Sequence, residues 1–246
     1  MKNYILILLI SSFAITACKK SKQVKETSTP VKFTTTEYSY VGTYDDQGKP
    51  SGLEKDVVSS ELVSYVKTSL PERGDVSKLH PEYLKNADLT ITVKSDVYIT
   101  FVAEGTGYSN TVGYYTYKTG SSPTKPEDIE RITYIFPNAS INDGGTLKAG
   151  DKVKLGNFEA GVSIGFVLLE KGWESSTKTV NKNAPHYCSN NILNPEDNAA
   201  LKPHTVLFDY PAEHKTVIGF EDTNRTLSSC DHDFNDVVIY ATVVAK

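Results

Sequence analysis

From Leu89 onward the chain is cut into short runs of threonine, valine, isoleucine and aromatic residues, separated by turn residues. Leu89, Ile91 and Val93 alternate with threonines, Val97, Ile99 and Phe101 alternate again, and Arg131 to Phe136 ends at Pro137. Val153 to Phe158, Val162 to Leu169, Thr205 to Tyr210, Thr216 to Phe220 and Val237 to Val244 follow. Alternation places every second side chain on one face of a strand. About eight to ten such runs with no interleaved helical pattern predict a mainly β fold, an antiparallel β-sandwich of jelly-roll-like form. The 15 tyrosines and single methionine agree with it, because aromatic residues suit a half-buried pleated surface. One N-terminal helix is expected to pack on the sandwich. It runs from Leu53 to Leu70, where Val58, Leu62, Tyr65, Val66 and Leu70 recur at helical spacing, with Gly52 before it and Pro71 stopping it.

Two strand-like runs are joined by an acidic segment. Phe220-Glu221-Asp222 is followed by Asp231-His232-Asp233-Phe234-Asn235-Asp236, which enters the apolar Val237-Val238-Ile239-Tyr240. In extended backbone Asp231, Asp233 and Asn235 project to one side, three hard oxygen ligands together, while His232 and Phe234 face away. Arg225 is the one base between Glu221 and Asp236, and carboxylates this close oppose one another's ionisation unless a cation sits among them. Calcium suits that donor set better than magnesium, which keeps water and demands stricter geometry. An EF-hand is excluded: its sixth and twelfth positions would need glycine and glutamate, and here they are Asp236 and Thr242. The expected site is a loop between strands holding calcium through Asp231, Asp233, Asn235 and Asp236, with Glu221 or Asp222 approaching from the preceding strand end. A solvated acidic turn is the plainer reading.

The N-terminus carries Lys2, an apolar run from Tyr4 to Ala14, and Ile15-Thr16-Ala17-Cys18. The run is shorter than the roughly 20 residues that span a bilayer, and it reads as a signal peptide over residues 1–17. Its ending resembles a bacterial lipobox, which implies cleavage before Cys18 and lipidation of that residue. Residues 18–36 then read as a flexible tether, polar and without periodicity, and 37–246 as a single domain. Placement follows in a Gram-negative envelope, lipid-anchored in the outer membrane, with the periplasmic and surface sides both open. Nucleic acid is not an expected partner, since the net charge is −4 and the only basic cluster lies in the tether.

Cys188 and Cys230 remain beside Cys18. In an oxidising compartment a bond between them would contribute about 4 kcal/mol on the chain-entropy model and pin the residue before Asp231. Two free thiols are the alternative. The polar stretch from Glu174 to Lys202 contains Cys188 and reads as a long loop.

Several phrases taken together resemble a known family. They are Tyr44 to Pro50, Ile99 to Tyr115, Ile135 to Ser140, Leu147 to Gly156, Gly219 to Asp222, and Asp231 to Asp236. Their order is similar to the envelope domain of LruC-type bacterial lipoproteins, which is related to a domain of unknown function seen in secreted and adhesin-like proteins. The resemblance implies an envelope location and a calcium-dependent β domain, without an established activity; a non-catalytic binding, adhesion or structural role is the expected function.

Catalytic motifs are sparse. The five histidines show no HExxH spacing, and no Gly-x-Ser-x-Gly elbow appears. A carbohydrate-active protein, either a glycan-binding module or a glycosidase, is the alternative function. Its candidate surface comprises Glu104, Tyr108, Tyr114 and Tyr115, although aromatic residues in strands more often belong to core and sheet surface.

Overall fold

The structure is a computed structural model that describes residues 28, 29, 31–85 and 88–246; the expected signal peptide and Cys18 lie outside these residues. In chain order the strands are β1 (Glu37–Tyr40), β2 (Glu54–Lys55), β3 (Leu89–Ile91), β4 (Ser95–Glu104) and β5 (Thr111–Lys118). They continue as β6 (Arg131–Phe136), β7 (Asp151–Phe158), β8 (Val162–Leu169), β9 (Trp173–Glu174) and β10 (Thr179–Val180). The last are β11 (His186–Cys188), β12 (Thr205–Tyr210), β13 (Lys215–Phe220) and β14 (Val237–Ala245). One sheet runs β1-β6-β5-β8-β11, with β3 also on β8, and the other runs β12-β13-β14-β4-β7-β2. The mainly β sandwich is therefore present. Its pairing is antiparallel apart from β1, which lies parallel to β6.

Alternation sorts the apolar side chains into three layers. Val97, Ile99 and Phe101 of β4, Ile164, Phe166 and Leu168 of β8, and Val237, Ile239 and Ala241 of β14 meet in the central layer between the sheets. On the outside of the first sheet, Tyr115, Tyr134, Val167 and Leu169 are covered by Phe33, Trp173, Val180 and Leu193. On the outside of the second, Val206, Val217, Val238 and Tyr240 are covered by helix α1 (Ser60–Ser69) through Leu62 and Val66 and by its C-cap Leu70. Strand β14 is thus buried on both faces, which explains why Val237 to Ala241 reads as an unbroken apolar run.

Helix α1 is shorter than the periodicity predicts. Glu54 and Lys55 pair with Lys152 and Asp151 as β2, and the Ser59 hydroxyl, accepting from the Leu62 N–H at 3.0 Å, sets the first turn later. Pro71 follows the Leu70 cap, as expected. The segment 174–202 is ordered by the β9–β10 hairpin, by β11 and by two short 3-10 turns. Thr29 donates to the Pro195 carbonyl at 2.7 Å, and Phe33 is buried and stacked on His186 at 4.6 Å. The described part of the expected tether therefore packs along the domain as an arm. None of the helices described is long and apolar enough to cross a membrane.

Candidate metal centre

Three neighbouring strand ends build the site. In the ladder Phe220 of β13 faces Val237 of β14, which faces Glu104 of β4. Glu221 and Asp222 continue one strand end and Asp236 precedes the next. One carboxylate oxygen from each of these three residues lies within 4.8 Å of the others. Glu221 and Asp222 are each 2% exposed. The Asp222 N–H donates to Asp236 Oδ2 at 2.8 Å, and the buried Asn110 amide donates to Asp222 Oδ2 at 2.6 Å. Asn110 is itself fixed by the Lys171 N–H, which donates to its Oδ1 at 2.9 Å. Glu221 is held by its backbone: its N–H donates to the His204 carbonyl at 2.9 Å, and its carbonyl accepts from His204 Nδ1 at 3.0 Å.

The electrostatics of this group are unbalanced. Glu221 Oε2 is buried and has no hydrogen-bond partner. Burial holds the Glu221 carboxyl well above the usual carboxylate range; the nearby Cys230 thiol opposes this, and the surrounding Asp231, Asp222 and Asp233 add to it. Asp236 is raised further, by burial first and then by Asp222 and Glu221. Arg225 feels the charge of Glu221 but forms no ion pair with any of the three. Its buried guanidinium donates to the Pro203 carbonyl at 2.9 Å, to Ser77 Oγ at 2.7 Å and to His232 Nδ1 at 3.2 Å, and it lies over the Phe234 ring. No Lys or Arg among the described residues forms an ion pair with Glu221, Asp222 or Asp236. An oxygen-only donor set with an orphaned buried oxygen fits a hard divalent cation.

The loop residues 231–235 fall into a separate group. His232 and Phe234 both have left-handed backbone, φ 63° and 57°, so the segment is not the extended run that the alternating spacing implies. Asp231 and Asp233 gather instead with Glu72, which follows α1. Asp233 accepts from the Arg73 N–H at 2.8 Å and from the Asn235 N–H at 3.1 Å, and burial pushes it up to about 6. Asp231 and Glu72 are exposed. Asn235 donates to the Leu70 carbonyl at 3.4 Å, and its Oδ1 lies so near Gly105 that a Cβ there would overlap it. Phe234 is fully buried against the α1 layer.

Glu104 borders the three-carboxylate group. Its Oε2 accepts from the Ile141 and Asn142 N–H groups at 2.6 and 3.4 Å, while Oε1 is buried without a partner. Burial raises its carboxyl, and Asp143 and Asp222 add to the effect. The tyrosines do not share a platform with it. Tyr115 is 1% exposed inside the outer layer, Tyr114 faces the other side of β5 against Phe158, and Tyr108 lies under the Lys171 ammonium at 3.7 Å. Glu72 and Asn110 carry no spacing signal in the sequence, because only the fold brings them to these carboxylates.

The expected Cys188–Cys230 bridge is not formed, and both residues are free, buried thiols. Cys188 points from β11 into the outer layer, whereas Cys230 lies 3.0 Å from His232 Nδ1 at the strand ends. Each is fixed by a separate packing environment, and burial pushes both thiols above their ordinary range.

A family model described as a domain of unknown function (DUF4114) matches residues 158–243. No curated protein matches the chain. No solved structure matches it either. The matched stretch runs from the end of β7 into β14 and includes Glu221, Asp222 and the whole 231–236 segment; over it, this chain is similar to a domain of unknown function.

Proposed function

We propose that this chain is a non-catalytic envelope lipoprotein of the LruC type, whose β-sandwich is tied together by calcium and serves binding, adhesion or surface structure. The observation that carries the calcium reading is the meeting of Glu221, Asp222 and Asp236 within 4.8 Å, with Glu221 Oε2 buried and unpartnered. A cation there would join the ends of β13 and β14 and replace carboxylate repulsion with attraction. Glu221 and Asp236 would hold it through free oxygens, and Asp222, fixed by Asn110, would complete the protein donors. The group Glu72, Asp231 and Asp233 lies apart from it, with Glu72 and Asp231 exposed and Asp233 buried.

Lipidation at Cys18 and outer-membrane anchoring are parts of the same proposal, supported by the lipobox-like Ile15-Thr16-Ala17-Cys18. Palmitate labelling of the wild-type chain and of Cys18→Ser tests them, and equal labelling of the two would overturn them. The calcium reading is tested by melting the chain in EDTA and in excess calcium. A higher melting temperature in calcium is expected; identical curves together with no bound metal would remove it.

A further inference from the structure

We propose that the cleft between the N-terminal arm and the 182–186 segment binds a small anionic polyol, a hydroxyl-rich ligand carrying a carboxylate or phosphate. The cleft has a volume of about 470 Å³, within the range of small-molecule sites. Among the described residues its lining includes Lys32 and Lys182 and no aspartate or glutamate, on a chain whose net charge is −4. Neither ammonium has an ion-pair or hydrogen-bond partner among the described residues. Glu170 lines the adjoining cavity and is already engaged by Lys171 at 3.2 Å and by the Tyr187 hydroxyl at 3.1 Å. Positive charge is thus gathered at this mouth without a counterion among the described residues.

The floor supplies the neutral part of the recognition. His186 is 5% exposed, and its Nδ1 lies 2.8 Å from the Ala184 carbonyl, which can only accept, so that nitrogen carries the proton. Nε2 then accepts from the Tyr38 hydroxyl at 3.1 Å, which leaves the Tyr38 oxygen free to accept from a ligand hydroxyl. Phe33 stacks on the His186 ring with 22° between the planes, which fixes that floor. Thr34 and Asn183 add polar groups to the walls. Cations at the mouth, an acceptor on the floor and amide and hydroxyl groups between them fit an acidic sugar or the glycerol phosphate of a lipid headgroup. The arm that forms one wall leads back toward Cys18.

Calorimetric titration of the full chain with glucuronate, glycerol phosphate and glucose tests the site. Saturable binding of at least one anion is expected, with glucose at least about tenfold weaker and binding weakened by added salt. Preference for glucuronate identifies an acidic sugar, and preference for glycerol phosphate a headgroup. The double variant Lys32→Ala/Lys182→Ala should lose about tenfold in affinity, as expected for two partly screened charges, while Lys118→Ala/Lys148→Ala on the exposed surface should not. Glucose binding as tightly as the anions, an unaffected Lys32/Lys182 variant, or no saturable binding of either anion would each overturn the proposal. None of these outcomes depends on calcium.

Discussion

Asp222 and Asp236 are joined across the β13–β14 strand ends by a single hydrogen bond, the Asp222 N–H to Asp236 Oδ2 at 2.8 Å, just beyond the last ladder pair of Phe220 and Val237. That bond turns the Asp236 carboxylate toward Glu221 and Asp222, so three acids converge where no Lys or Arg among the described residues forms an ion pair with them. The ladder, which buries β14 on both faces, forces this convergence, and a cation is its natural counterpart.

Removing one of the convergent charges should separate fold stability from metal response. Glu221→Gln and Asp236→Asn relieve repulsion among buried acids, so at pH 8 in EDTA each variant is expected to unfold at or above the parent temperature. The gain is up to about 2 kcal/mol, the scale of an uncompensated buried charge. Calcium should no longer raise the melting temperature of either. Differential scanning calorimetry checks both halves, and a variant that keeps the full calcium shift would show that its carboxylate is not a ligand.

The calcium effect should grow with pH. Glu221, Asp233 and Asp236 have folded-state values raised above the ordinary carboxylate value of about 4, to about 6 for Asp233. Without metal, the folded chain binds more protons than the unfolded one. Stability from these groups is therefore greatest below the unfolded value and is lost as pH rises through the folded values. Calcium competes with those protons. The melting-temperature difference between calcium and EDTA should widen from about pH 5 to about pH 8. His186, whose value is depressed by burial, acts in the opposite direction from the distant arm-covered layer, with and without metal alike, so it drops out of the difference. A difference that narrows over that range would contradict the assignment.

Gly105 lies outside the carboxylate group yet should matter to it. A side chain there would overlap Asn235 Oδ1 and crowd its carbonyl, and Asn235 is followed directly by Asp236. Gly105→Ala is expected to destabilise the fold by about 1–3 kcal/mol, as overpacking does, and to weaken calcium binding as well. Calcium titration of this variant beside Gly107→Ala, where a Cβ meets open space, checks the position. Equal affinity in the two would show that the Gly105–Asn235 contact does not position the site.

Cys188 and Cys230 should behave as thiols. Dithiothreitol is expected to leave the melting temperature unchanged, and mass spectrometry of alkylated, unreduced protein should find both residues modified after unfolding. A linked peptide pair would restore the bridge that the sequence spacing suggests.

The sandwich was legible because alternation along β4, β8 and β14 is a direct record of which face meets which layer. The helix start was not, since Val58 continues the helical spacing while Glu54 and Lys55 are drawn into pairing with β7, and the deciding Ser59 cap is a local contact. The acidic segment was legible as chemistry, and less so as geometry. Spacing implies an extended backbone from Asp231 to Asn235, whereas left-handed turns at His232 and Phe234 bury Phe234 and send Asp233 toward Glu72. Asn110 and Glu72 come from distant parts of the chain, and nothing in their neighbouring residues points to their partners. The cysteines illustrate the same limit, because sequence counts thiols and only packing shows that each has its own environment.

The central claim is that Glu221, Asp222 and Asp236 hold one calcium ion between β13 and β14. The most direct measurement is isothermal titration of calcium into the EDTA-treated, dialysed chain, run in parallel on the Glu221→Gln/Asp236→Asn double variant. A saturable calcium isotherm for the parent, absent from the double variant while its circular dichroism spectrum stays β-like, is the predicted result. The same isotherm in both chains, or no binding by the folded parent, would contradict the account.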